Sequence, residues 1–403
     1  MTGKKSLCVV GARNPYAYAE LKEKGKIDWT NKTANEKARL VEKAFGRPFN
    51  KLFDPVYGSS LFPKTGSSSA TLPLTGDAVS CNPNPCPAMD DFLQLPNASF
   101  FVDRERYDDL IQGCLPDCYF IAALCSYAWA TKSQAAFQNR IEANNYSYMF
   151  YAPQTDANGN IVLSAQPVAD PAFTVNDKIP LIRPDTKIFS RSVSANEIWP
   201  CIYEKAYATW IHCRKNRIAP GPQVNPDYLS ICQGNPLSTL MHLTGKTAVS
   251  YDTKNLVNGE CYTKIGLQVI PAASTKSGAP VQIKTNYPTV AWTYATAPDG
   301  VSYRNDVIVA NHSYSVLGVY PPLIPADDKK YIVLRNPFGQ KSGDPRADVD
   351  PNLPADAYFT GIWGPLKDAA GRQKVLGDPL DGIFAIKDSV FRKYFAGFGW
   401  VKY

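Results

Sequence analysis

The chain has only three histidines, His212, His242 and His312, and its cysteines form no paired C-x-x-C units. A structural zinc site is therefore not expected. No apolar run approaches the ~20 residues a membrane helix needs, so no span is expected. The opening "MTGKKSLCVVGARNPYAYAE" has a four-residue apolar patch, too short for a secretory h-region. A cytoplasmic protein is expected, or a secreted or cell-surface one whose leader was removed. Ten cysteines in 403 residues are too few for a disulfide framework, although "CNPNPC", Cys81 to Cys86, suits either a small disulfide loop or a plain Asn-Pro turn. The net charge of +7 is spread along the chain with no Lys/Arg stripe, so no nucleic-acid partner is expected. No internal repeat is evident. What is present, 44% apolar and 20% charged residues, is ordinary for a globular protein of two or three domains.

Residues 1–94 read as an accessory segment. Within it "TANEKARLVEKAFG" carries a capping box, Thr33 with Glu36, and an apolar stripe that predicts a short helix. A Ser/Gly/Pro-rich connection follows. Residues 95–250 read as a helical subdomain. "CYFIAALCSYAWA" is apolar on all sides and predicts a buried helix. "SANEIWPCIYEKAYATWIHCRKN" predicts another, opened by a Ser194–Glu197 capping box with Pro200 in its first turn. Between them, strand-like sequence on both sides of Asn158-Gly159 predicts a hairpin. Residues 251–403 read as β-rich, with strands over "KIGLQVI", "TVAWTYAT", "DVIVANHSYSVLGVY", "KKYIVLRNPFG" and "DGIFAI". The whole is expected to be an α+β protein with two lobes facing each other.

Three cysteines crowd the stretch "GCLPDCYFIAALC". Cys118 falls at the first turn of the buried helix, where the dipole and free N–H groups favour a thiolate, and Asp117 is placed to cap it. Cys125 reads as an inert packed thiol. A nucleophilic thiol needs an imidazole and a group to orient it. A hairpin around "PPLIPADD" puts residue 312 opposite about Phe338, with Asn336 one diagonal away on the same face. The order Cys, His, Asn matches papain-like enzymes. His312 lies farther along than the papain spacing of ~130–150 residues, so extra structure must intervene.

These residues resemble the protease core of the calpain family of papain-like cysteine proteases. "QGCLPDCYFIAA" is similar to its nucleophile motif, "ANEIWPCIYEKAYA" to its E-K-A-Y-A helix, "VNDKIP" to its V-D-D-x-L-P strand, "HSYSVLGV" to its histidine strand, "LRNPFG" to its asparagine motif, and "DGIFAIKDSVFRKYF" to the end of the core. The blocks occur in family order from about residue 95 onward. The resemblance implies a papain-like two-lobed fold, with the nucleophile in a helical lobe and the histidine in an antiparallel β lobe. It implies Cys118 as nucleophile, His312 as general base and then acid, Asn336 as its orienter, and Gln112 sharing the oxyanion hole. Gly234 aligns with a glycine whose backbone pairs with substrate, and Asn311 replaces a glycine that lines the groove.

Pro116, Tyr119 and Phe338 also depart from the family pattern, the last two keeping aromatic cover. In family members with calcium-regulated cores, one site uses carboxylates matching Asp109 and Glu197, both present, while Arg104 stands at the nearby glycine. A structural role for both acids, with Glu197 capping its helix, is the competing reading. At a second site Ser342, Pro365 and Ile383 replace acids and leave Asp381 nearly alone. No cofactor is required. The expectation is a cysteine endopeptidase acting on protein or peptide substrates. A ligase or cyclase using the same acyl-enzyme, a peptide-binding scaffold with little turnover, and a Cys114–Cys118 redox pair are the alternatives.

Overall fold

The computed structural model describes residues 71–73 and 92–403, apart from 103–104, 131–139, 143–144, 184–185, 188, 272–282, 296, 304–307, 321–328, 340–352, 369 and 379–380. The helix expected after Thr33, the Cys81–Cys86 loop, Arg104 and Ser342 lie outside the described residues.

Helix α1 spans Cys118–Trp129, and every residue after Cys118 in it is buried, as an all-round apolar sequence requires. Helix α2, Trp199–Asn216, starts a turn later than the Ser194–Glu197 box predicts. Its N-cap is Ile198, with no side-chain cap bond, and Pro200 does sit in its first turn. Arg217, in the left-handed conformation, ends it. Helix α3, Pro236–Thr244, is capped by the Asn235 side chain, which accepts from the Leu237 and Ser238 amides. Short strands fill out this half of the chain. Phe92–Gln94 pairs with Lys178–Arg183, and Asn145–Tyr148 pairs with Phe173–Asn176. The Asn158-Gly159 turn closes a ragged hairpin, with Thr155 bridged to Ile161 and Tyr151–Ala152 paired with Val168–Ala169.

The second half builds one nine-stranded antiparallel sheet. Its strands are β1 (Ala248–Asp252), β2 (Val269–Pro271), β3 (Ile283–Thr285), β4 (Thr289–Thr293), β5 (Ser313–Tyr320), β6 (Tyr331–Arg335), β7 (Tyr358–Phe359), β8 (Ile383–Lys387) and β9 (Phe395–Val401). The order is β1-β9-β4-β5-β6-β8-β7, with β2 paired to β3 and β3 to β5. Helices α4 (Glu260–Leu267) and α5 (Asp388–Tyr394) complete the fold. The expected strand over "KIGLQVI" is corrected: its first half belongs to α4. Asp388 explains why, because its carboxylate accepts the Gly259 and Tyr262 amides at 2.6 Å each and caps α4 from a distant part of the chain.

Strand residues alternate between two cores. Tyr331, Val333, Ile383 and Ala385 pack with the α1–α3 side, whereas Ile332, Leu334, Phe384 and Ile386 pack with α5. A sheet buried on both faces reads as continuous apolar sequence, as these strands do. The architecture is α+β and papain-like, as expected.

His242 on α3 is buried, with Nδ1 2.9 Å from the Tyr207 hydroxyl, and burial with nearby Arg214 pushes its imidazole down to about 3. The unfolded chain takes up this proton below about pH 6.5 while the fold refuses it until about pH 3, so stability falls as pH drops through that window. Relative to His242→Gln, the wild type is expected to lose about 2 kcal/mol more between pH 7 and pH 5 in urea unfolding. Parallel losses would show that His242 is not the group responsible.

Candidate active site

Helix α1 lies along β5. Ser315 Oγ donates to the Ala122 carbonyl at 2.7 Å, and Trp129 Nε1 donates to the Leu317 carbonyl at 2.7 Å. At the start of the same contact the Cys118 thiol lies against the amide and hydroxyl of Ser313. Four helical residues rise about 6 Å and two strand residues about 6.7 Å, so the two elements are in step from Cys118 to Ala122. That register sets Cys118 beside the residue that follows His312.

β5 and β6 pair with Tyr320 opposite Tyr331, one residue off the expected hairpin, and a bulge between Val316 and Gly318 then brings Val316 opposite Leu334 and Ser315 opposite Arg335, the expected register. His312 and Asn336 flank the open end of this ladder, and His312 Nε2 lies 3.0 Å from Asn336 Oδ1. The Phe338 amide donates to the same oxygen at 3.0 Å. A backbone N–H requires an acceptor, which fixes the orientation of the Asn336 amide. A carbonyl oxygen only accepts, so Nε2 carries the ring proton and Nδ1 keeps its lone pair. Phe338 and Tyr314 wall the imidazole, with ring centroids at 4.5 and 5.0 Å.

Burial pushes His312 down to about 4, opposed by the Asn336 bond. Cys118 keeps some surface exposure, yet desolvation of its thiol pushes it up to about 12. The Ser313 amide opposes this, and Asp117 adds to it. Both groups therefore rest neutral near pH 7. Burial and the Asp117 charge work against the thiolate that the helix terminus favours. Asp117 stands at the N-cap position but makes no side-chain cap bond.

The loop before α1 is tied to the turn after β6. Arg335 Nη2 donates to the Leu110 carbonyl at 2.6 Å, and the Gln112 amide to the Pro337 carbonyl at 2.9 Å. Gln112 Nε2 donates to the Leu115 carbonyl at 2.7 Å. The buried Arg335 cation thus joins Gln112 and Asn336 in one assembly. Asn311 has φ 50, and its amide donates to the Tyr294 carbonyl. Asparagine is among the few residues that accept this conformation, so it can stand where the family has glycine. Gly234 abuts the residue after Cys118: a Cβ there would lie 2.4 Å from the Tyr119 ring, whose hydroxyl donates to the Ile231 carbonyl.

The acids Asp109 and Glu197 do come together, and burial followed by the Glu197 charge pushes Asp109 up to about 8. Their oxygens accept the Arg106 and Val102 amides, Trp199 Nε1 and Ser192 Oγ. Glu197 therefore ties a loop to α2 rather than capping it. Calcium takes six to eight oxygens. Among the described residues no group of three or more His, Cys, Asp or Glu gathers to hold a metal. This pair does not by itself complete a calcium site. Asp381 is engaged by Lys374 at 2.6 Å and by the Ile383 amide. Cys114 precedes α1 and forms no disulfide with Cys118, so the helical spacing of a redox pair does not arise. His212 sits on α2 beside Asn216.

Reading the sequence alone missed Ser313, Arg335 and Glu204 as parts of this region. All three fall inside the family blocks, but only the folded contacts show what each one touches.

The sequence profile described as "Calpain family cysteine protease" matches residues 89–344. The chain is 25% identical to Calpain-8 of Rattus norvegicus over 247 residues, 61% of this chain and 30% of that protein. It is 23% identical to Calpain-9 of Homo sapiens over 246 residues, 60% of this chain and 30% of that protein. It is 26% identical to a thiol protease of Porphyromonas gingivalis over 245 residues, 59% of this chain and 46% of that protein. The chain thus matches less than half the length of each of these relatives.

Gly234→Ala forces the Tyr119 ring out of place and is expected to destabilise the fold by about 1–3 kcal/mol in urea unfolding. An unchanged unfolding midpoint would show that the ring moves aside freely.

Proposed function

Because the chain belongs to the calpain family of cysteine proteases, we propose that it is an endopeptidase whose nucleophile is Cys118, with His312 as general base and then acid and Asn336 as the group that orients the imidazole. The observation that carries this reading is the His312–Asn336 bond, which leaves Nδ1 basic beside the strand residue that contacts the thiol.

Since thiol and imidazole both rest neutral, proton transfer accompanies attack. Nδ1 takes the thiol proton as the sulfur bonds to the peptide carbonyl carbon. The oxyanion that forms is met by the Cys118 backbone N–H, at the open first turn of α1, and by a proton of the Gln112 amide. Such donors supply roughly 3–4 kcal/mol of barrier lowering each. The imidazolium then protonates the departing amine, and a thioester remains. Water attacks it, Nδ1 accepts the water proton, and the thiolate leaves and recovers a proton. Gly234 offers its backbone to an extended substrate, which reads peptide rather than side chain and gives loose sequence preference. Asn311 narrows the groove next to the imidazole. No step uses a cofactor.

A peptidyl epoxide or fluoromethylketone, applied with and without calcium, is expected to modify Cys118, and His312→Ala to abolish the reaction. Asn336→Ala is expected to lower kcat by roughly 10²-fold or more on a peptide substrate. Selective modification of Cys114 would overturn the assignment. Adding an amine acceptor to the assay separates hydrolysis from acyl transfer by its products.

A further inference from the structure

Two buried acids near the nucleophile have no part in the chemistry above. Asp117, immediately before Cys118, is 0% exposed, and Glu204 on α2 is 1% exposed. Their carboxyl groups lie near each other in the interior. The Ser190 amide donates to both Glu204 oxygens, at 3.1 Å each. Asp117 turns away from the helix it begins, leaving that helix without a side-chain cap.

Two bare carboxylates buried near each other repel strongly out of water, so this arrangement requires one of them to be protonated. Desolvation, followed by the Asp117 charge, pushes Glu204 well above the usual carboxylate range. The titratable groups facing the pair are Tyr228 from the turn Tyr228–Ile231, Cys201 on α2, and Cys118. Lys187 and Arg191 stand beyond Cys201.

We propose that Asp117 and Glu204 hold one proton between them and act as a positioning pair for Cys118, fastening the start of α1 to α2 and limiting the charge beside the thiol to one. The pair touches no substrate and acts through Cys118. When the shared proton leaves to solvent at alkaline pH, the two carboxylates repel, α1 loses this tether, and a second negative charge opposes the thiolate. Raising the thiol by one pKa unit cuts the thiolate fraction about tenfold at neutral pH. The inference rests on Cys118 being the reactive thiol, as proposed above, but not on peptide hydrolysis.

Two measurements on the full chain test it. The infrared difference between wild type and Glu204→Gln near neutral pH is expected to show a protonated-carboxyl band present only in the wild type. Glu204→Ala should remove the same band, and it serves if the first variant does not fold. The second measurement is the rate of Cys118 alkylation by iodoacetamide, read by peptide mass across neutral and alkaline pH. Glu204→Gln keeps a fixed donor to Asp117 and should react like wild type at neutral pH while losing the alkaline retardation. Glu204→Ala likewise leaves no more than one carboxylate beside the thiol and should also lose the alkaline retardation. Absence of the band in wild type, or identical alkylation profiles for wild type, Gln and Ala, overturns the proposal. An intact band with no peptidase activity counts against the peptidase reading alone.

Discussion

The contact between helix α1 and strand β5 is the constraint on which the rest depends. A buried helix with no polar face has nowhere to go except against the sheet, and over its first turn its backbone step matches the strand's closely. Ser315 and Trp129 pin that register with hydrogen bonds that would cost about 1–3 kcal/mol each if left unmet in the interior. The thiol then falls beside Ser313 because of packing and backbone accounting, not because of any attraction between the thiol and the imidazole.

Around this contact the polar groups are arranged to hold one another. Arg335 has no exposed surface, yet it ties the loop of Gln112 to the turn of Asn336 through the Leu110 carbonyl. Asn336 accepts from both the imidazole and the Phe338 amide, so its orientation and the histidine tautomer are decided together. Low dielectric keeps both Cys118 and His312 neutral, and a neutral pair suits a mechanism in which the proton moves only as the sulfur attacks. Asp109 and Glu197 are held in the same way, by the Arg106 and Val102 amides, Trp199 and Ser192.

Much of this was legible in single residues. The all-apolar run after Cys118 announced a buried helix; the loop length between "HSYSVLGVY" and "KKYIVLRN" set a hairpin register that is one residue off beside the loop and is met at Ser315 and Arg335 only after a bulge. The motif order pointed to the family that the profile match shows. The misreadings have a common origin. Glu197 looked like a capping residue, but its oxygens go to Val102 and Ser192. "KIGLQVI" looked like a strand because the group that caps α4 is Asp388, more than a hundred residues away.

By itself, then, the sequence determined which segments are buried, which residue types carry nucleophilic chemistry, and the order in which they occur, because hydrophobic period and local turn chemistry are written in near neighbours. Only the tertiary structure decided the protonation of Cys118 and His312, the partners of Asp109, Glu197, Asp117 and Glu204, and the place where α4 begins. Those depend on dielectric and on hydrogen bonds between residues far apart in the chain, and such quantities do not exist until the chain has folded.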